Sequence, residues 1–184
     1  ELCTINAQPS DLTRAQIVAG ALFGDGTAAV ILTGEQNSPP ARPVMKGYDS
    51  RFLENTLNHM GYKNNEYGMS IMLSPKIPAE VKRSGGDIIA EFLSQHDMGP
   101  DDIDHFVVHP GGRAILDALD ETLDLADQDL RESRETLKQY GNLSSATVFF
   151  VLSKVLSKDP SPGDTGLVLA FGPGFNTDLG LIEW

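Results

Sequence analysis

His109 ends a short apolar run, Phe106-Val107-Val108, and is followed at once by Pro110, Gly111 and Gly112. Proline disfavours the α region for the residue before it, so His109 is held extended. The two glycines permit a sharp turn and close backbone approach. Ile115, Leu116 and Leu119 then fall on one helical face. An imidazole is therefore expected at the end of a buried strand, beside a helix N-terminus, a common place for chemistry in α/β proteins. Asn142 stands in a similar setting, with Gly141 before it, Ser144-Ser145 after it and an apolar helical stretch beyond.

The positive end of a helix disfavours an imidazolium. A neutral imidazole can donate one N–H to an oxygen that gathers negative charge, and a carboxamide can do the same. Two such donors, if they converge, make an oxyanion hole. The same two residues could equally cap a helix or satisfy each other in a core, and the pattern alone does not choose.

Other candidates carry less. His105 and His109 have the spacing of a helical zinc pair, but on a strand four residues span ~13 Å, too far to share a metal. No metal site is expected. The acidic series Asp117, Asp120, Glu121 and Asp124 reads as a solvated helix face without the glycine and glutamate of a calcium loop. Gly24-Asp25-Gly26-Thr27-Ala28-Ala29 matches a dinucleotide fingerprint by letter only, because β-branched residues rather than a helix follow it. Neither a G-x-S-x-G elbow nor a Gly-Lys-Ser/Thr phosphate loop occurs. Cys3 reads as a small buried hydrophobe, and His59 and His96 as surface residues.

The elements that must hold these residues alternate. Strands are expected over 44–49, 68–73, 103–108, 166–171 and 175–182, and Val30-Ile31-Leu32 reads as the end of another buried strand. Residues 1–10 read as a strand end running into a loop, residues 35–43 as a linker with three prolines, and residues 58–68 as polar and turn-rich. Helices are expected from Pro78 to about His96, over 112–125, over 129–140 and over 144–156. The last is apolar nearly all round and is expected to be buried. Gly85-Gly86 weakens its helix, and a tight packing contact would explain the pair. Alternating strands and helices imply an α/β sheet covered by helices.

The totals exclude several classes. Lys+Arg 14 against Asp+Glu 26 gives a net charge of −12, which argues against nucleic acid or an anionic membrane surface as partner. No apolar run is long enough to span a bilayer. One cysteine rules out an intrachain disulfide and fits a reducing cytoplasm. The 184 residues suffice for one domain with a core, although the opening Glu1 reads as cut from a longer chain.

Four stretches together resemble the type III polyketide synthases, the chalcone synthase-like branch of the thiolase superfamily. They are Ala21-Leu-Phe-Gly-Asp-Gly26, His109-Pro-Gly-Gly-Arg-Ala-Ile-Leu-Asp117, Tyr140-Gly-Asn-Leu-Ser-Ser-Ala146 and Phe171-Gly-Pro-Gly174, in this order. Glu1-Leu-Cys-Thr4 with Gln8 looks closer to bacterial members than to plant ones. The resemblance implies a thiolase-like fold of αβαβα layers, with residues 1–34 as the tail of the first half, carrying its last strands, and residues 35–184 as the second half. It implies a Cys–His–Asn triad in which His109 and Asn142 are the histidine and asparagine. Phe23 matches a phenylalanine beside the coenzyme A tunnel, and Ala114 a region touching the coenzyme A arm. Phe171, Gly172, Pro173 and Gly174 match the loop that shapes the cyclisation cavity. Ile71 stands where plant members carry a second phenylalanine, and Arg113 where they carry a proline. Cys3 matches a non-nucleophilic cysteine; the nucleophile would lie upstream.

The implied activity is acyl transfer: iterative decarboxylative Claisen condensation of malonyl-CoA onto an acyl-CoA starter, then cyclisation to a pyrone- or resorcinol-type product. Coenzyme A thioesters are the expected substrates, with no other cofactor. A cytoplasmic homodimer that includes the upstream segment is expected, and these residues alone are expected to be inactive. The alternatives are a β-ketoacyl synthase III-like enzyme making one condensation, or an inert thiolase-like fragment that binds or dimerises.

Overall fold

The computed structural model describes residues 1–6, 8, 13–34, 42–66, 68–126 and 128–184. Its centre is a four-stranded sheet ordered β1-β6-β5-β4, from β1 (Val44–Phe52), β4 (His105–Val108), β5 (Thr165–Gly172) and β6 (Asn176–Glu183). β4 and β5 run parallel, whereas β5–β6 and β6–β1 are antiparallel. A separate hairpin joins β2 (Met60–Asn65) to β3 (Gly68–Leu73).

Side chains alternate across a strand, and β4 uses both faces. Phe106 and Val108 enter the larger core with Leu167, Leu169, Phe171, Leu179 and Leu181. Val107 enters a smaller one with Val151 and Val155. Over the larger core lie α2 (Ile77–Glu80), α3 (Gly86–Ser94) and α4 (Arg113–Leu123), through Ile77, Ile89, Phe92, Leu93, Ile115, Leu116 and Leu119. A π-helical turn, Val81–Gly85, joins α2 to α3. A Cβ on Gly86 would stand 2.8 Å from the Thr122 side chain, so a close contact with α4 accounts for that glycine. α6 (Thr147–Leu156) covers the smaller core. α5 (Arg131–Tyr140) packs between α4 and α6.

Several expectations are corrected. Residues 27–34 form no strand and are exposed, Ile31 at 90% and Leu32 at 88%, because no described strand offers them an edge. The start of the chain is a 3-10 turn, Cys3–Asn6, rather than a strand end. Residues 60–65, read as turn, are strand β2, since pairing with β3 overrides their polar composition. α6 is not buried all round: Phe149 is exposed, and Thr147, Val151 and Val155 form its buried face. The acidic face of α4 is partly paired, with Asp117 and Asp120 both held by Arg134 of α5. His96 and His59 are half-buried rather than surface residues; His96 meets Phe92 edge-on at 5.2 Å and packs against Gly47. The expected linker over 35–43 lies largely outside the described residues.

No helix among the described residues is long and apolar enough to cross a membrane. None of their His, Cys, Asp and Glu side chains gather in threes that could hold a metal ion.

Candidate active site

His109 lies one residue beyond β4, and its N–H continues the ladder by donating to the Leu169 carbonyl at 2.7 Å. The Gly111 N–H then donates to the His109 carbonyl at 2.9 Å, closing the tight turn that Pro-Gly-Gly suggested. Ser133 of α5, fully buried, anchors the strand end by donating its hydroxyl to the Val108 carbonyl at 2.7 Å. His109 itself is only 9% exposed, and its ring nitrogens bond to no other described residue. Burial pushes its pKa down to about 4, so at neutral pH the ring is uncharged, one nitrogen a donor and the other an acceptor. Desolvation is the cause, in the same direction as the helix end expected from the sequence.

Asn142 is 4% exposed and is fixed at four atoms. Its backbone N–H donates to the Leu22 carbonyl at 2.8 Å, and its carbonyl accepts from the Gly24 N–H at 2.9 Å. Its side-chain oxygen accepts from the Ser144 N–H at 2.8 Å, and its amide donates to the Gly111 carbonyl at 3.0 Å. An amide has two N–H donors, so one remains for a ligand. Gly111 is where the two residues meet. Its carbonyl holds Asn142, and a Cβ on it would lie 3.7 Å from His109 Nε2.

The strand-like contact between Phe23 and Asn142 comes from the end of α1 (Arg14–Leu22). Gly141 makes it possible: its φ is +74°, and a Cβ there would stand 2.7 Å from the Leu22 carbonyl oxygen. The first residues fasten the same region, with the Glu1 backbone nitrogen donating to the Gly26 carbonyl at 2.7 Å and Ser145 donating to the Glu1 carboxylate at 2.7 Å.

Phe23 and Ile71 line one cavity of about 80 Å³ between α1 and the β2–β3 hairpin, together with Cys3, Gln16, Ala19 and Tyr62. Cys3 is thus partly buried beside a cavity, and burial, then the Glu1 and Asp25 carboxylates, push its thiol pKa up, away from nucleophilic use. Tyr62 and Gln16 went unnoticed in the sequence: Tyr62 sits in the stretch read as turn, and Gln16 in a small, apolar helix. Only the pairing of β2 with β3 could have flagged Tyr62. Ala114 is exposed in the first turn of α4, where N–H groups lack intrahelical partners. Phe171 is buried and stacked on Phe175 at 5.5 Å; Gly172 ends β5 opposite Asn176, and Pro173 and Gly174 with Phe175 form the β5–β6 turn, with Gly174 against the Phe52 ring. A larger open cleft of about 520 Å³, bounded by Leu53, Thr56, Glu80 and Arg83, contains none of the expected site residues.

Residues 46–183 match the C-terminal domain of the chalcone and stilbene synthases. The whole chain aligns at 36% identity with 49% of a 1,3,6,8-tetrahydroxynaphthalene synthase of Streptomyces peucetius subsp. caesius. It aligns at 31% identity with 50% of a 3,5-dihydroxyphenylacetyl-CoA synthase of Amycolatopsis orientalis. The solved 1,3,6,8-tetrahydroxynaphthalene synthase of Streptomyces coelicolor A3(2), a bacterial type III polyketide synthase, superposes with a TM-score of 0.91 at 30% identity, over 99% of this chain and 51% of that one. The chain spans about half the length of these relatives, and their fold is thiolase-like. It belongs to the chalcone and stilbene synthase family, the type III polyketide synthases, as a C-terminal half of the thiolase-like enzyme.

Proposed function

We propose that this chain supplies the enolate-stabilising half of a type III polyketide synthase acting on an acyl-CoA starter and malonyl-CoA. The observation that carries the reading is the convergence of His109 and Asn142 on Gly111, with a neutral imidazole whose nitrogens bond to no other described residue and a carboxamide with one N–H to spare.

The nucleophilic cysteine comes from the upstream half of the enzyme. Its thiolate takes the starter acyl group and coenzyme A leaves. The bond from malonyl-CoA to its carboxylate then breaks, CO₂ departs, and the electron pair moves onto the thioester oxygen. His109 and Asn142 each donate an N–H to that oxygen. The enolate carbon attacks the acyl-enzyme carbonyl, and the cysteine thiolate leaves. The product is a coenzyme A thioester two carbons longer, ready to be reloaded. Repetition and ring closure give a pyrone- or resorcinol-type product, shaped by Phe23, Ile71 and the Phe171–Gly174 turn, while the first turn of α4 at Ala114 meets the coenzyme A arm. Preorganised donors aimed at developing charge do this work without reorganising during the reaction.

In the enzyme carrying both halves, His109→Ala and Asn142→Leu are each expected to slow CO₂ release from malonyl-CoA by ~10²–10³. Wild-type release rates in both variants would sink the assignment. Product mass distinguishes iterative extension from a single condensation.

A further inference from the structure

Among the residues lining the cavity beside Phe23, one carries a buried polar atom with no partner. Gln16 is 8% exposed, and its Nε2 makes no hydrogen bond to any described residue. Native proteins pair nearly all such atoms, so an orphan donor beside a cavity calls for an explanation. Gln16 sits on the turn of α1 that also presents Ala19 and Gly20 to the cavity, and α1 ends at Phe23, which is tied to Asn142. The cavity therefore adjoins the His109–Asn142 site through two residues whose backbones are in register.

We propose that Gln16 is a specificity-determining residue that donates a hydrogen bond to a keto oxygen of the extended acyl chain. The inference rests on the condensing function proposed above. A saturated acyl chain has one acceptor, its thioester oxygen at the cysteine. A chain lengthened by condensation carries a further carbonyl two carbons away with each cycle. Of the other cavity walls, Phe23, Ile71 and Ala19 offer it no donor, the Thr4 hydroxyl is committed to Asp25, and the Tyr62 hydroxyl and Cys3 thiol belong to side chains less buried than Gln16. A carboxamide on three rotatable torsions can reach such an oxygen, and doing so removes the unsatisfied group. Gln16 makes and breaks no bond in this role. It selects β-ketoacyl chains over saturated ones.

The test uses the enzyme with both halves, a short acyl-CoA starter and malonyl-CoA, with products read by mass. Gln16→Met keeps the length and removes the donor; Gln16→Glu keeps the shape and presents only acceptors. In both, the rate of later extensions relative to the first condensation is expected to fall at least tenfold, shifting products to shorter chains. The ligand-free Gln16→Met enzyme is expected to melt no lower than wild type, because it loses an unsatisfied donor rather than a made bond. An unchanged product distribution overturns the proposal. So does a rise in KM for both thioesters at unchanged chain length, which would place the contact on the coenzyme A arm. A lowered melting temperature or failure to fold in Gln16→Met makes Gln16 structural and also overturns it. If the wild-type enzyme releases no CO₂ from malonyl-CoA, the condensing function itself has failed, a result separable from all of these.

Discussion

One histidine opens β4 and another follows its last residue, and the two have opposite fates. His105 opens the strand with its Nε2 2.9 Å from Asp164 Oδ2 and meets Trp184 edge-on at 5.1 Å. The hydrogen bond from His105 holds the Asp164 carboxyl below its ordinary range, helped by the Ser161 N–H. His109 follows the other end, more deeply buried, with no partner on its ring among the described residues and a pKa of about 4. Both positions follow from the parallel register of β4 on β5, which sets His105 opposite Gly166 and Val108 opposite Leu169. A partnered histidine works as a joint between strand and loop. A buried one without a partner keeps its nitrogens available, and that is what a donor to a developing oxyanion requires.

The comparison fails most visibly if the two residues are interchangeable in catalysis. His105→Ala is expected to leave CO₂ release within about twofold of wild type, against the ~10²–10³ loss expected for His109→Ala. Equal losses would show that β4 placement, rather than the His109 nitrogens, matters. Acid stability sharpens the contrast. The unfolded chain protonates His109 near its ordinary 6.5, the folded chain only near 4. Above pH 6.5 neither state holds the proton and the residue has no effect. As pH falls from 6.5 to 4 the unfolded state binds more protons, so stability drops, by about 3 kcal/mol in full. His109→Gln should remove that slope in urea titrations run across this window. Asp164 behaves differently: its lowered pKa adds stability above the usual carboxylate value of 3.8, which is lost only as pH falls through the lower folded value. Asp164→Asn should therefore leave the slope between pH 6.5 and 4 intact. The smallest effect tests how Asn142 is held. Gly141→Ala forces a side chain into a positive φ and against the Leu22 carbonyl, at a cost of about 1–3 kcal/mol in thermal or urea unfolding. An unperturbed melt would mean that residues 22–24 are free to move away from Asn142.

Much of the site was legible because its signals are local. His109-Pro-Gly-Gly encodes an extended residue, a tight turn and a helix start in consecutive positions, and the structure has all three. Pro78 in a first helical turn and the close approach at Gly86 were legible for the same reason. Residues 60–65 were misread because polar residues become a strand only when β3 lies alongside. Val30-Ile31-Leu32 failed in the other direction: an apolar run is a strand only where an edge accepts it, and no described strand does. The acidic face of α4 was half right, since a helix cannot announce that Arg134 of α5 will reach across to Asp117 and Asp120.

By itself the sequence determined the backbone around His109 and Asn142, the alternation that sends Phe106 and Val108 to one core and Val107 to the other, and the motifs that mark the family. These depend on sterics and hydrogen bonding within a few residues of each position. Only the tertiary structure decided that the two side chains meet at Gly111, that burial keeps His109 neutral, and that Gln16 is left with a donor unpaired among the described residues beside Phe23. Each of these is a property of atoms brought together from distant parts of the chain, and desolvation and partnership exist only once the chain has closed around them.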